Sequence, residues 1–202
     1  MNNSAFGRRR KPSTHAEVKI AVTGLRGVGK SAITVRFLTK RFIGEYGHDQ
    51  ETKYHHQTKI DGDIVSMEIL DINNQDIFTD TQLIEWADGI MLVYSVTDRQ
   101  SFEALWKAQN KISEARKAFP VPFTLVANKQ DLLHAQVVET AEGRELASEL
   151  GCSFKVLSAA EHYKQIEDTF YDLYRDMKML KHGAKPSIMG RMFGRGRKPM
   201  TL

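Results

Sequence analysis

Residues 18–38 read VKIAVTGLRGVGKSAITVRFL. An apolar run stops at a glycine-rich loop, and a helix-compatible segment begins near Lys30, so the stretch reads strand, loop, helix. Within GLRGVGKS (24–31), Gly24, Gly27 and Gly29 let backbone N–H groups converge on phosphate oxygens. Lys30 supplies a point charge to the outer phosphates, and the Ser31 hydroxyl is a hard ligand for Mg²⁺. The helix points its positive end at the same anion. Phosphate binding is therefore expected from Gly24, Arg26, Gly27, Val28, Gly29, Lys30, Ser31 and Ala32. Arg26 stands out, a bulky cation where such a loop usually needs something small.

The loop alone does not choose between ATP and GTP. NKQD (128–131) does, at the end of a β-rich run about 100 residues later. The Asp131 carboxylate can accept both the ring N–H and the exocyclic amine of guanine, whereas adenine presents a ring acceptor there and would be repelled. Asn128 can bond the base edge and tie the two loops together, and the Lys129 stem can lie against the base plane.

Outward from these motifs, short apolar runs alternate with longer amphipathic ones, the pattern of a mostly parallel sheet with helices on both faces. Strands are expected near 18–23, 54–60, 64–70, 89–96, 122–128 and 153–158, and helices near 30–40, 101–118, 140–150 and 163–181. The turn DGD (61–63) marks a hairpin, so one strand should run antiparallel to its neighbours. Ile166, Phe170, Leu173, Tyr174 and Met177 fall on one helical face and read as core.

A chain of 202 residues that is 41% hydrophobic supports one well-filled core. The single cysteine, Cys152, excludes an intramolecular disulfide, favours a reducing compartment and reads as a buried small hydrophobe. No apolar run approaches the roughly 20 residues that cross a bilayer. The net charge of +4 hides an asymmetry: residues 1–16 hold four basic side chains (Arg8–Lys11) and residues 178–202 hold seven, neither with an acid. Taking those 11 from 29 leaves 18 basic against 25 acidic residues, so the body carries about −7. The expected organisation is a basic tail at 1–16, one globular domain at 17–181 and a second basic tail at 182–202.

GLRGVGKS, DINNQ (71–75), NKQD and LSAA (157–160) stand in the order and spacing of the Ras superfamily of small GTPases, which residues 17–180 resemble. VRFLTKRFIGEY (35–46) and SMEILD (66–71) are most similar to the Ras-related and oestrogen-regulated growth inhibitor branch and its Ras-like relatives. The resemblance implies a P-loop NTPase G domain of α/β class, with a six-stranded, mostly parallel sheet and one antiparallel strand. It also implies bound GTP or GDP with Mg²⁺, Phe42 against the guanine, the Ala159 backbone meeting the guanine oxygen beside Ser158, and Asp71 holding Mg²⁺ through water. Ala160 replaces a lysine common in the family and removes one contact to the base.

Departures from the pattern gather on the hydrolytic side. Arg26 should crowd the attacking water and the catalytic glutamine; the alternative is a cis-acting arginine finger. Asp49 stands where the family has a Mg²⁺-binding threonine, with Thr52 three residues late, so either Asp49 or Thr52 is the candidate there. Asn74 replaces a switch glycine, and Gln75 occupies the position of the water-orienting glutamine. Two functions follow: a slow GTP hydrolase that switches between GDP and GTP forms, or a nucleotide-bound scaffold without turnover.

Effectors or regulators are expected at residues 44–54 and 72–85, on a monomer. The chain ends KPMTL, without a prenylation cysteine, and the C-terminal segment interleaves Met, Leu, Ile and Phe with basic residues, which suits an anionic membrane surface. Nuclear localisation or RNA binding would also fit the basic clusters, but no aromatic platform for bases accompanies them. A cytoplasmic protein, peripheral at the inner plasma membrane, is the expected location.

Overall fold

The computed structural model describes residues 15–44, 52–72 and 81–183. The basic tails beyond these ends, and the expectations placed on Asp49, Asn74 and Gln75, lie outside the described residues. In chain order the elements are β1 (His15–Thr23), α1 (Lys30–Thr39), β2 (Thr52–Ile60), β3 (Asp63–Asp71), α2 (Thr81–Trp86), β4 (Gly89–Ser95), α3 (Arg99–Ala118), β5 (Phe123–Asn128), a 3₁₀ segment (Gln130–Ala135), α4 (Thr140–Leu150), β6 (Ser153–Val156) and α5 (Tyr163–Lys181). The strands form one six-stranded sheet in the order β2-β3-β1-β4-β5-β6. Only β2 is antiparallel, joined to β3 by the Asp61-Gly62 turn, with Thr52 opposite Asp71 and Ile60 opposite Asp63. The sheet, its hairpin and its one reversed strand match the sequence reading.

β4 shows why the sheet lies in the middle. All seven of its residues are buried, because alternate side chains point to opposite faces and both faces are covered. Met91 and Val93 join Ile20 and Val22 under α1 and α5, where Phe37 stacks on Phe170 with ring centroids 4.1 Å apart. Leu92 and Tyr94 join Ala21 under α3 and α4, against Phe102, Leu105 and Leu146. The predicted α5 stripe, Ile166, Phe170, Leu173, Tyr174 and Met177, is buried throughout. Cys152 belongs to the second cluster, and burial pushes its thiol up to about 12, so it packs rather than reacts.

Three differences from the sequence reading stand out. β1 begins at His15, including two residues that composition assigns to the N-terminal tail. α2, TQLIEW, was not expected as a helix. The 3₁₀ segment just after Asn128 and Lys129 buries none of its residues, so it leaves no periodic trace in the sequence. Because β1, β4 and β5 are parallel, their C-terminal ends at Thr23, Ser95 and Asn128 meet at one edge of the sheet. Open α/β sheets place ligands at that edge.

Candidate functional site

At that edge lies a cleft of about 320 Å³. It is lined by Arg26, Gly27, Gly29, Lys30, Ser31 and Ala32 from the loop and the first turn of α1, and by Asn128, Lys129, Asp131, Ala159 and Ala160 from the ends of β5 and β6. Phe42, Ile43, Gly44 and Leu132 complete it. Two motifs roughly 100 residues apart in sequence thus face one space. Of the expected contact residues, Gly24, Val28 and Ser158 do not line the cleft; they are buried behind it and shape the loops that do.

The phosphate loop is held by constraints that its glycines make feasible. A Cβ on Gly24 would stand 2.0 Å from the Val93 carbonyl oxygen, so only glycine lets the loop leave β1 this close to β4. Gly29 takes φ 98° as the residue preceding α1, and a Cβ there would stand 2.2 Å from Asn128 Nδ2. That close approach is used: Asn128 Nδ2 donates to the Val28 carbonyl at 2.8 Å. The first α1 hydrogen bond runs from the Ile33 N–H to the Gly29 carbonyl, which leaves the N–H groups of the first turn without helical partners at the cleft. Lys30, only 3% exposed, crosses the loop so that its Nζ donates to the Leu25 carbonyl at 2.9 Å, keeping two donors for an anion.

The opposite wall would read a base. Asp131 is half-buried at the start of the 3₁₀ segment, and Lys129 is held at φ 67°, which turns the chain sharply after β5. Ser158 Oγ accepts the N–H groups of Ala160 (3.1 Å) and Glu161 (3.3 Å), folding residues 158–161 into a tight loop. The Ala159 N–H, expected to meet a guanine oxygen, donates to Asn128 Oδ1 at 3.1 Å, so a base would have to share that donor. Asn128, 1% exposed, therefore ties both loops at once, as its position in NKQD suggested. Phe42 and Ile43 are nearly half exposed on the rim, a lipophilic edge on the side of the cleft where the resemblance places a base.

The metal side is partly visible. Asp71 ends β3, paired with Val22 of β1 and with Thr52 of β2. It is 2% exposed, and its carboxylate accepts a hydrogen bond from Ser31. Its Oδ1 is buried with no hydrogen-bond partner among the described residues. Burial pushes the Asp71 carboxyl above its usual range, against the Ser31 hydrogen bond and the charge of Lys30; burial likewise lowers the Lys30 ammonium, against the charge of Asp71. A desolvated carboxylate with an unused oxygen beside a hydroxyl is a donor set that fits a hard divalent cation. Thr52 sits in the β2 ladder beside Asp71. Arg26 is exposed at the mouth of the cleft.

Ile43 and Leu132, on the rim, carried no motif and were not anticipated, although FIG (42–44) and DLL (131–133) flank residues that were.

Residues 19–179 match the model of the Ras family. The chain is 47% identical over 164 residues to the human (Homo sapiens) Ras-related and estrogen-regulated growth inhibitor, covering 81% of this chain and 82% of that protein. It is 41% identical over 172 residues to Ras-like protein family member 11B of Danio rerio, covering 81% and 70%. Against Ras-like protein family member 11A of Rattus norvegicus it is 38% identical over 173 residues, covering 81% and 72%. With a G-domain sheet, a phosphate loop and a guanine motif lining one cleft, and relatives matched across most of their length, the chain belongs to the Ras family and is a GTP-binding protein of signalling.

Proposed function

We propose that this protein holds GDP and GTP with Mg²⁺ in the cleft between residues 24–32 and 128–131, and hydrolyses GTP slowly. The observation that carries the slow step is Arg26, exposed at the mouth of the cleft beside Gly27. Gly27, Gly29 and the first turn of α1 supply N–H donors to the phosphates, Lys30 supplies a cation, and Asp131 selects guanine. Ser31 and Asp71 are the residues that would hold Mg²⁺, which when bound neutralises charge on the phosphate oxygens. Asp49 or Thr52 would complete that set, and Gln75 would orient water. Arg26, which lines the cleft from the phosphate loop, would crowd an in-line water and the glutamine expected to orient it.

Arg26→Gly tests this without touching a metal ligand. Single-turnover GTP hydrolysis should rise about tenfold, equivalent to about 1.4 kcal/mol off the barrier. A fall in rate would show that the arginine assists the chemistry. No measurable turnover in either protein would favour the second reading, a nucleotide-bound scaffold.

The partner surfaces proposed are residues 44–54 and 72–85 for effectors or regulators, and an anionic membrane for the basic C-terminal tail. No helix among the described residues is long and apolar enough to cross a membrane. Ala16, Glu17 and Val18 of β1 and Met177, Lys178, Lys181 and His182 of α5 line one surface groove. Lys181 also pairs with Asp88 at 3.0 Å, and Asp88 accepts the Lys19 N–H at 2.9 Å. The start of β1 and the end of α5 thus lie at one pole, separated from the phosphate loop by the nine residues of β1, roughly 25–30 Å. The C-terminal basic segment would then meet a lipid surface on the side away from the cleft. Binding to phosphatidylserine vesicles should weaken at least tenfold when residues 184–202 are removed, and should fall as salt shortens the Debye length below its physiological value of about 8 Å. Undiminished binding of the truncated chain would overturn the membrane assignment.

A further inference from the structure

Residues 158–161 are held from inside by Asn128 and by the Ser158 hydroxyl, but their outer end is held from elsewhere. Arg36, in the last turn of α1, donates from Nη2 to the Glu161 carbonyl at 3.1 Å. Its Nε is buried at the junction and has no hydrogen-bond partner among the described residues, so the tether runs through Nη2. One turn further on, Lys40 places its Nζ 5.4 Å from the ring centroid of Tyr163, the first residue of α5. The helix that begins at the phosphate loop therefore ends against the loop that flanks the base.

We propose that Arg36 is a positioning residue for the base: from α1 it fixes the outer end of the loop 158–161 and so sets where the Ala159 and Ala160 backbone stands in the cleft. This rests on the guanine reading given above. Ala160 makes the tether matter. With no long side chain at this position to close over the base, the loop contributes through its backbone, and backbone placement depends on what anchors its two ends. Asn128 anchors the Ala159 end and Arg36 the Glu161 end. A neutral Met at position 36 would keep the apolar stem and lose every donor.

The test uses the full chain loaded with nucleotide, comparing wild type, Arg36→Met and Arg36→Lys. GDP release should quicken about fivefold in Arg36→Met, the scale of one lost hydrogen bond, and return most of the way in Arg36→Lys, whose ammonium can still donate to the Glu161 carbonyl. Two analogues separate positioning from simple loss of stability. In 6-thio-GDP the oxygen that faces the 158–161 loop is replaced by sulfur, a larger and weaker acceptor, while the edge read by Asp131 is kept. In IDP that oxygen is kept, and the amine read by Asp131 is missing. Arg36→Met should shrink the preference for GDP over 6-thio-GDP at least twofold and leave the preference for GDP over IDP unchanged. Unchanged GDP release in Arg36→Met would overturn the proposal. So would faster release of all three nucleotides with both preferences intact, which would reduce Arg36 to a stabilising contact. Equal binding of ADP and GDP by the wild-type protein would instead remove the guanine reading itself, and the proposal with it.

Discussion

Asp131→Asn is expected to weaken GDP binding at least a hundredfold and to turn the preference of the site toward XDP. The carboxylate is half-buried on the cleft wall, where it would accept from the guanine ring N–H and from the exocyclic amine. Asparagine keeps an oxygen for the ring N–H but turns an NH₂ toward the amine, so two donors face each other. A hydrogen bond to a charged acceptor contributes about 1.5–3 kcal/mol, and losing one while weakening the other amounts to about 3 kcal/mol, just over a hundredfold. Xanthine carries a carbonyl where guanine carries the amine, and that carbonyl accepts what the asparagine donates. Competition of GDP, XDP and ADP for the same labelled nucleotide reads the outcome directly. If wild type binds ADP as well as GDP, or if Asp131→Asn leaves the order of affinities unchanged, Asp131 does not read the base.

The base motif was legible because chemistry restricts it: few side chains offer two acceptors to guanine, and Asn128-Lys129-Gln130-Asp131 lies where the parallel sheet delivers β5 to the cleft. The same holds for the phosphate loop, whose Gly24 and Gly29 meet close approaches that a Cβ would block. The hairpin was legible from Asp61-Gly62, and the core face of α5 from its period. What escaped has a physical reason in each case. α2 is six residues long, too short for a helical period to emerge, and the 3₁₀ segment has no buried face to mark it. The first residues of β1, His15-Ala16-Glu17, are polar or small and none is buried, so their pairing with Ile64, Val65 and Ser66 leaves no apolar alternation. The capture of the Ala159 N–H by Asn128 was hidden because a backbone donor has no letter in the sequence, and the reach of Arg36 to Glu161 spans 125 positions that only the fold brings together.

Asn128→Ala should release GDP at least a hundredfold faster and lower the midpoint of thermal unfolding by about 6–12 °C. The side chain is 1% exposed and holds the Val28 carbonyl at 2.8 Å and the Ala159 N–H at 3.1 Å. Truncation leaves two backbone groups without their partners, at about 1–3 kcal/mol each where burial persists, and a total near 3 kcal/mol matches both expected effects for a domain of this size. The vacancy also changes what Gly29 can tolerate. In the intact protein, Gly29→Ala would drive a Cβ to within 2.2 Å of Asn128 Nδ2 at φ 98°, so it meets both a clash and left-handed strain. With Asn128 truncated, the clash disappears and only the strain remains, of order 1–2 kcal/mol. The double variant should therefore be more stable than the two single losses added together. Additive losses would mean that Gly29 and Asn128 act separately. A wild-type rate of GDP release from Asn128→Ala would mean that the two loops need no tie, and that the cleft is held together by the strands behind it.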